Sequence, residues 1–384
     1  MRRAYFKEGV VMKVIQVLPD LNGGGVEKGT LEVAQALVEA GHESVVVSAG
    51  GSMVERLLSL GSRHVCWDLG RKSLATLRHI WAVRKWLRQE KADILHLRSR
   101  MPAWIMWLAW RGLPLNERPR LVTTVHGLYS VSWYSAIMCK GERVIAVSDT
   151  VQRYIADNYP ATDLNKVVRI FRGVDHDEFP YGLLPEGQWL DAWYEQYPHT
   201  KGRVILTLPG RLTRLKGHHD FIELMASLKQ AGLNVCGLIV GGEDDKRKSY
   251  ADELYVKVKD AGLEGDIFFT GARSDIRHIY AISNVVFSLS SKPESFGRTV
   301  LESLRIGTAT VGYDHGGVGE ILTALFPAGL VAKGDIGECA LRTQQIVKEK
   351  LKPENASLFT RKEMLERTLA LYCDLLKPAN RKQI

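Results

Sequence analysis

The feature that most constrains this chain is an alternation, run through twice, of short β-branched stretches with longer segments of helical periodicity. In the first half, Val14–Leu18, Ser44–Ser48, His64–Asp68, Ile94–Leu97, Leu121–Val125 and Arg143–Val147 read as strands. Between them Glu27–Ala40, Ser73–Gln89 and Pro102–Arg111 place apolar residues at helical spacing. A break follows over Asp175–Arg203, with Pro180, Pro185 and Pro198 around a Trp-rich segment that reads as a linker with a small helix. The pattern then restarts. Val204–Leu208, Val235–Val240, Ile267–Thr270, Val285–Leu289 and Ala309–Gly312 read as strands, and His218–Ala231, Ser249–Ala261, Ile276–Ile282 and Arg298–Ile306 as helices. Lys362–Leu376 reads as a last helix. Such alternation builds a parallel sheet covered on both faces, so the expectation is an α/β protein of two doubly wound units.

Length agrees, because 384 residues exceed what one ordinary core holds. The expected boundaries are a first domain over 12–180, a linker over 181–202, a second domain over 203–360, and a C-terminal helix over 361–384 that crosses back to the first. No run of about 18 apolar residues is present, so no transmembrane helix is expected. The opening MRRAYFKEGVV lacks the apolar core of a secretory signal, and Met12, just before the first strand, is the expected start of translation. Five scattered cysteines without a CxxC pair point to a reducing cytoplasm. The net charge is +9, and the first 180 residues carry 25 Lys and Arg against 18 Asp and Glu. That basic first half suits nucleic acid, an anionic membrane surface or an anionic glycolipid, or is simply a solvated surface. No nucleic-acid-binding motif accompanies it.

In open α/β sheets ligands bind where strands end, so the turns after strands carry the chemistry. After the first strand, Gly23, Gly24 and Gly25 lead into a helix, where bare backbone and a helix N-terminus suit an anion or merely a flexible turn. His126 and Gly127 follow another strand. A neutral-pH donor or acceptor and a structural histidine are both open readings there. The second half opens with Gly210-Arg-Leu-Thr-Arg-Leu-Lys-Gly217, which sets Arg211 and Lys216 just before a helix. Two cations at a helix N-terminus make a diphosphate site, and the two glycines read as room for a ligand. Lys292-Pro-Glu-Ser-Phe-Gly-Arg-Thr-Val-Leu-Glu302 places Glu294 in a loop and Glu302 on the second turn of a helix, with Ser295, Phe296, Gly297 and Arg298 between them. Backbone amides near Phe296 and Gly297 would act as donors. Gly241-Gly-Glu-Asp-Asp245 imitates a metal-binding DxD motif, but its run of charges reads better as a solvated loop.

Taken together, Gly23–Glu27, His126–Gly127, Gly210–Gly217 and Pro293–Glu302 resemble the motifs of the retaining glycosyltransferases of family 4. The likeness extends to Ala146–Ser148 and Arg172–Asp175 and covers nearly the whole chain. It implies the GT-B fold, with two Rossmann-like domains facing across a cleft. It also implies a nucleotide-sugar donor, in first place a UDP-sugar, and a glycan or lipid-linked acceptor in lipopolysaccharide or cell-surface polysaccharide synthesis. No cofactor and no metal are expected. By the same likeness Arg211 and Lys216 neutralise the diphosphate, Glu294 contacts the transferred sugar and Glu302 the ribose. Gly24 and Gly25 meet phosphate or sugar, His126 lies beside the anomeric centre, and Gly271 and Arg273 lie near the base. Retention without a close carboxylate pair implies front-face attack, with the leaving phosphate assisting deprotonation of the acceptor. The sequence departs from the family at Arg172, where Asn is usual, and at Ser303-Leu-Arg305, where small residues are usual. Packing or acceptor fit is what these departures put in question.

Competing readings are a GT-B sugar-nucleotide epimerase and a non-catalytic nucleotide-sugar-binding or assembly protein. On the acceptor side, Trp81, Trp104, Trp107 and Trp110 stand among Arg84, Lys85, Arg88, Arg98, Arg100 and Arg111. This basic, tryptophan-rich face reads either as a helix core stripe with solvated charges or as a peripheral contact with the inner face of the cytoplasmic membrane.

Overall fold

The computed structural model describes residues 11–71, 76, 78–243 and 248–377. The N-terminal stretch before Val11, Leu74 and Leu77 of the expected second helix, and Asp244–Asp245 lie outside these residues. The chain forms two compact units. One runs to Phe171 and resumes from Lys362, and the other spans Arg172–Arg361.

The first unit contains strands β1 (Lys13–Val17), β2 (Glu43–Ser48), β3 (Arg63–Cys66), β4 (Ile94–Leu97), β5 (Arg120–Val125), β6 (Arg143–Ala146) and β7 (Val167–Arg169). Its helices are α1 (Gly25–Glu39), α2 (Val54–Ser59), α3 (His79–Glu90), α4 (Arg100–Arg111) and α5 (Asp149–Asn158). All strand pairs are parallel, in the order β3-β2-β1-β4-β5-β6-β7. β1 therefore has β2 on one side and β4 on the other, and the crossovers diverge there, which opens a crevice at the carboxyl ends of the strands. The strands are buried on both faces. Ile15, Val17, Leu95, Leu97 and Leu121 pack under α3 and α4, while Val14, Ile94, Val122 and Ile145 pack on the other side.

The second unit has α6 (Gly187–Gln196) ahead of its first strand. Its strands are β8 (Val204–Pro209), β9 (Val235–Val240), β10 (Ile267–Gly271), β11 (Val285–Ser288), β12 (Ala309–Tyr313) and β13 (Leu330–Val331). The helices after α6 are α7 (His218–Gln230), α8 (Lys248–Asp260), α9 (Ile276–Ile282), α10 (Arg298–Ile306), α11 (Gly316–Leu325) and α12 (Ile336–Glu349). The sheet is again wholly parallel, ordered β10-β9-β8-β11-β12-β13, and its switch point lies between β8 and β11.

Residues 181–202, expected as a linker, lie within the second unit, and α6 supplies Trp193 to its core. Trp193 of α6 is 2% exposed and packs with Ile205, Cys236, Leu238 and Ile279. Trp189 stacks on Trp193 and donates from its indole to Asp275 Oδ2 at 2.7 Å. A segment that buries this much aromatic surface is held by it.

The last helix, α13 (Arg361–Leu376), completes the first unit. Its Leu369, Leu371, Tyr372 and Leu375 are buried with Met12, Val14, Leu37 and Ile170. Tyr372 Oη also lies 2.6 Å from His96 Nδ1, a contact 276 residues apart in sequence. The two stretches at the unit boundary run side by side. Val174 pairs in parallel with Thr360, and a Cβ on Gly173 would lie 2.2 Å from Thr360 backbone atoms.

Candidate active site

In the second unit the loops after β8 and β11 converge, as neighbouring parallel strands require. The β8 loop turns at Gly210 (φ 146°) and again at Gly217 (φ 75°), both backbone settings suited to glycine. The structure corrects one reading of Gly217. A Cβ there would sit 2.0 Å from Leu289 O, so its bareness serves loop-to-loop packing rather than ligand space. Between the glycines, Lys216 folds back along Gly210, its Cδ 3.2 Å from where a Cβ would stand. Its Nζ donates to Glu294 Oε1 at 2.5 Å.

Glu294 is held from three sides. Ser290 Oγ donates to the same Oε1 at 2.5 Å, and Gly317 N–H donates to the Glu294 carbonyl at 2.8 Å. The Lys216 side chain is 31% exposed and the carboxylate 20%, so the pair is reachable from solvent. Burial pushes the Glu294 carboxyl up. The Lys216 charge and the hydrogen bonds from Lys216 and Ser290 outweigh it, leaving the carboxyl below its usual range. Arg211, in the same loop, is exposed and makes no ion pair or hydrogen bond among the described residues.

Glu302 is 8% exposed, and Arg298 Nε donates to its Oε1 at 2.9 Å across one turn of α10. Gly297 caps that helix at φ 93° and rests on Val318 of α11. Phe296 turns its ring inward, edge-on to Phe359, so only its backbone remains toward the loop surface. Ser295 is half-buried. Gly271 ends β10 at φ 70° with open space where a Cβ would be. Arg273 makes a two-pronged pair with Asp275 (2.8 and 2.6 Å), and its guanidinium sits 5.7 Å over the Trp193 ring.

Sequence reading missed the β12–α11 loop. His315 Nε2 contacts Ser290 O at 2.8 Å, and a Cβ on Gly316 would lie 2.5 Å from Glu294 O. The signal available was the pair Gly316–Gly317 just after a strand. The departure at Arg305 has a structural account. Its Nη2 donates to Leu358 O at 2.7 Å and its Nη1 to Ala356 O, clamping the segment that leads out of the unit.

In the first unit, Gly24 (φ 143°) caps α1, and Gly24 and Gly25 are exposed at the end of β1. His126 follows β5, on the same edge of the sheet and two strands away. Its backbone N–H donates to Tyr129 Oη at 3.3 Å. The tryptophan face divides. Trp104 and Trp110 donate their indole N–H groups inward, to Tyr134 O (2.9 Å) and Pro119 O (2.7 Å). Trp81 and Trp133 are 73% and 76% exposed. Arg84 covers the Trp81 ring and Arg111 the Trp107 ring, each at 4.7 Å. Arg98, expected on this basic face, is instead buried at 5% exposure beside β1, with Gln16 as a partner. Among the described residues no helix is long and apolar enough to cross a membrane.

Comparison with known proteins agrees with this layout. Residues 23–178 match the Glycosyltransferase Family 4 domain and residues 191–363 the Glycosyl transferases group 1 domain. The chain is 37% identical over 123 residues to a mannosylfructose-phosphate synthase of Agrobacterium fabrum, covering 31% of this chain and 27% of that protein. It is 30% identical over 141 residues to the lipopolysaccharide core biosynthesis mannosyltransferase LpcC of Rhizobium leguminosarum, covering 37% and 40%. These alignments thus span less than half of either relative. Among solved structures, a glycosyltransferase from Rickettsia africae superposes with a TM-score of 0.81 at 27% identity, covering 96% of this chain and 99% of that one. The Anabaena protein HepE, solved with UDP and glucose, gives 0.81 at 19% identity, covering 95% and 100%. The architecture is that of the GT-B proteins.

Proposed function

Because this chain belongs to the glycosyltransferases that join a Family 4 domain to a group 1 domain, we propose that it moves a sugar from a nucleotide diphosphate sugar, with retention, to a glycan or glycolipid acceptor. The observation that carries the proposal is the pairing of Lys216 with Glu294 at 2.5 Å across the two loops of the switch point, with Arg211 exposed beside them. Lysine brings three donors, so Nζ can keep Glu294 and still take a phosphate oxygen. The charge that develops on the leaving diphosphate is met by Lys216, Arg211 and the N-terminus of α7, in the position where fixed charges lower the barrier most. The ionised Glu294 accepts from the transferred sugar's hydroxyls, and Glu302, steadied by Arg298, accepts from the ribose. Ser295, Gly297 and the Phe296 backbone line the same loop, while Gly210, Gly271 and Arg273 serve the nucleotide. For Gly24, Gly25 and His126, the family resemblance implies contacts to phosphate or sugar. The leaving phosphate takes the acceptor's proton as the new bond forms on the same face. With two cations meeting the diphosphate, the reaction proceeds without a metal.

A UDP-sugar is the donor we favour, supported by the likeness to a GT-B protein that holds UDP and glucose. Lipopolysaccharide or another surface glycan is the acceptor class we favour, supported by the partial identity to LpcC. Contact with the inner face of an anionic membrane is supported by exposed Trp81 and Trp133, by Arg84 over the Trp81 ring and by Arg111 over the Trp107 ring.

The test is a thermal-shift and slow-hydrolysis screen against UDP-, GDP-, ADP- and dTDP-sugars in EDTA, with and without anionic vesicles. One donor should stabilise the protein and lose its nucleotide slowly. Stabilisation without release points to a non-catalytic binder, and inversion at the sugar's C2 to an epimerase. If no donor stabilises the protein under either condition, the proposal fails.

A further inference from the structure

The first unit holds a buried cation that the transfer chemistry above does not use. Arg98 follows β4, and its backbone N–H donates to Val17 O at the end of β1 (3.0 Å), so it lies beneath the turn that carries the three glycines. Its side chain is 5% exposed. Nη1 donates to Gln16 Oε1 at 2.9 Å, and fully buried Gln16 turns its own amide to Thr30 O at 3.1 Å. Thr30 Oγ1 in turn donates to Val26 O at 2.8 Å. The relay therefore runs from β4 across β1 into the first turns of α1, the helix that Gly25 opens.

Charge enters from the same helix. Burial opposes the Arg98 charge, while Tyr372 and then Glu32 and Glu27 of α1 favour it. The Glu27 carboxylate curls back over the glycines, with Oε2 2.5 Å from where a Cβ on Gly24 would stand. A buried arginine is costly, and an apolar side chain of like volume stabilises a core as well or better. What a guanidinium adds is a planar, fixed set of donors that indexes one element against another.

We propose that Arg98 is a positioning residue for the glycine loop: through Gln16 and Thr30 it fixes the first turns of α1, the helix that Gly25 opens. The backbone of Gly24 and Gly25 is thereby kept in one arrangement for the donor. The inference rests on the donor reading above and adds a residue to it.

Two near-isosteric variants test it. Arg98→Lys keeps the charge but loses the planar fork, and Gln16→Glu keeps an acceptor for Arg98 but loses the donor to Thr30 O. Each is purified, checked for cooperative melting, and assayed for slow hydrolysis of the nucleotide sugar that stabilises the wild type, UDP-glucose in the first instance. We expect KM to rise about tenfold with kcat little changed, since a displaced loop weakens binding of ground state and transition state alike. A merely structural role lowers the melting temperature and leaves KM where it was, and that result in a folded Gln16→Glu protein overturns the proposal even if Arg98→Lys does not fold. Lys216→Ala runs alongside. If it too leaves KM and turnover unchanged, or if no donor binds the wild type, the donor reading itself has failed. If Lys216→Ala alone is impaired, only the role of Arg98 is lost.

Discussion

At the scale of single residues, the proposed function gives the Lys216–Glu294 pair two chemical tasks at once. A carboxylate ionised at neutral pH is a strong acceptor for sugar hydroxyls, and the lysine that keeps it ionised is the one offered to phosphate. Glu294→Ala should therefore remove most turnover, by about a hundredfold, while nucleotide still stabilises the protein. Lys216→Ala should weaken both nucleotide binding and turnover, as thermal shift and hydrolysis rates would show. His218 makes a different prediction. It is fully buried at the start of α7, and burial, with smaller pushes from His219 and Lys216, lowers its pKa to about 4. The unfolded chain takes up that proton near pH 6.5, so stability is complete above that pH and falls as the pH drops toward 4, by up to about 3 kcal/mol. Denaturant unfolding at pH 7 and pH 4.5 should show this loss in the wild type and a smaller loss in His218→Gln. The candidate residues Arg211, Lys216, Glu294 and Glu302 could be singled out from the sequence because each stands in a dense local motif. Ser290, His315 and Gln16 were not, since their partners come from other loops or strands and no local pattern announces them.

At the scale of elements, Ile94–Leu97, Val235–Val240, Ile276–Ile282 and Arg298–Ile306 are found with the boundaries their periodicity suggests. The segments left unread include α5 and α12, which are of ordinary length, and three with short or weakened signals. β7 and β13 are three and two residues long, and α11 opens on Gly316, Gly317 and Gly319, which weaken a helical pattern. There the glycines serve close approach instead. Gly317 lets α11 lie against the Phe296 backbone, 2.4 Å from where its Cβ would be. Gly217 is the sharpest case of this economy, and Gly217→Ala should cost about 1–3 kcal/mol, because the new methyl meets Leu289 O and the residue keeps a left-handed φ. Its melting temperature and its hydrolysis rate should fall together, since the same loop carries Lys216. An Ala variant at Gly271, where the space is open, should show only the backbone strain.

At the scale of the molecule, two units were legible from the repeated alternation, but their boundary was placed by composition. The structure puts it at Phe171 and Arg172, because the proline-rich stretch with its tryptophans finds a hydrophobic surface on the second sheet. Composition marks where a chain turns often, not which surface it then covers. The first unit is discontinuous, and α13 supplies Leu369, Leu371, Tyr372 and Leu375 to its core. Deleting residues 362–377 should leave the second unit resistant to limited proteolysis while the first is digested, with a single protected fragment beginning near Arg172. A ribosome emits this protein from one end only. The second unit is contiguous and can close on itself as soon as it emerges. The first unit, though synthesised earlier, must wait for α13, with an apolar sheet face open in the meantime. Birth order and completion order are thus reversed between these two units, and the first is most vulnerable in the interval before α13 emerges.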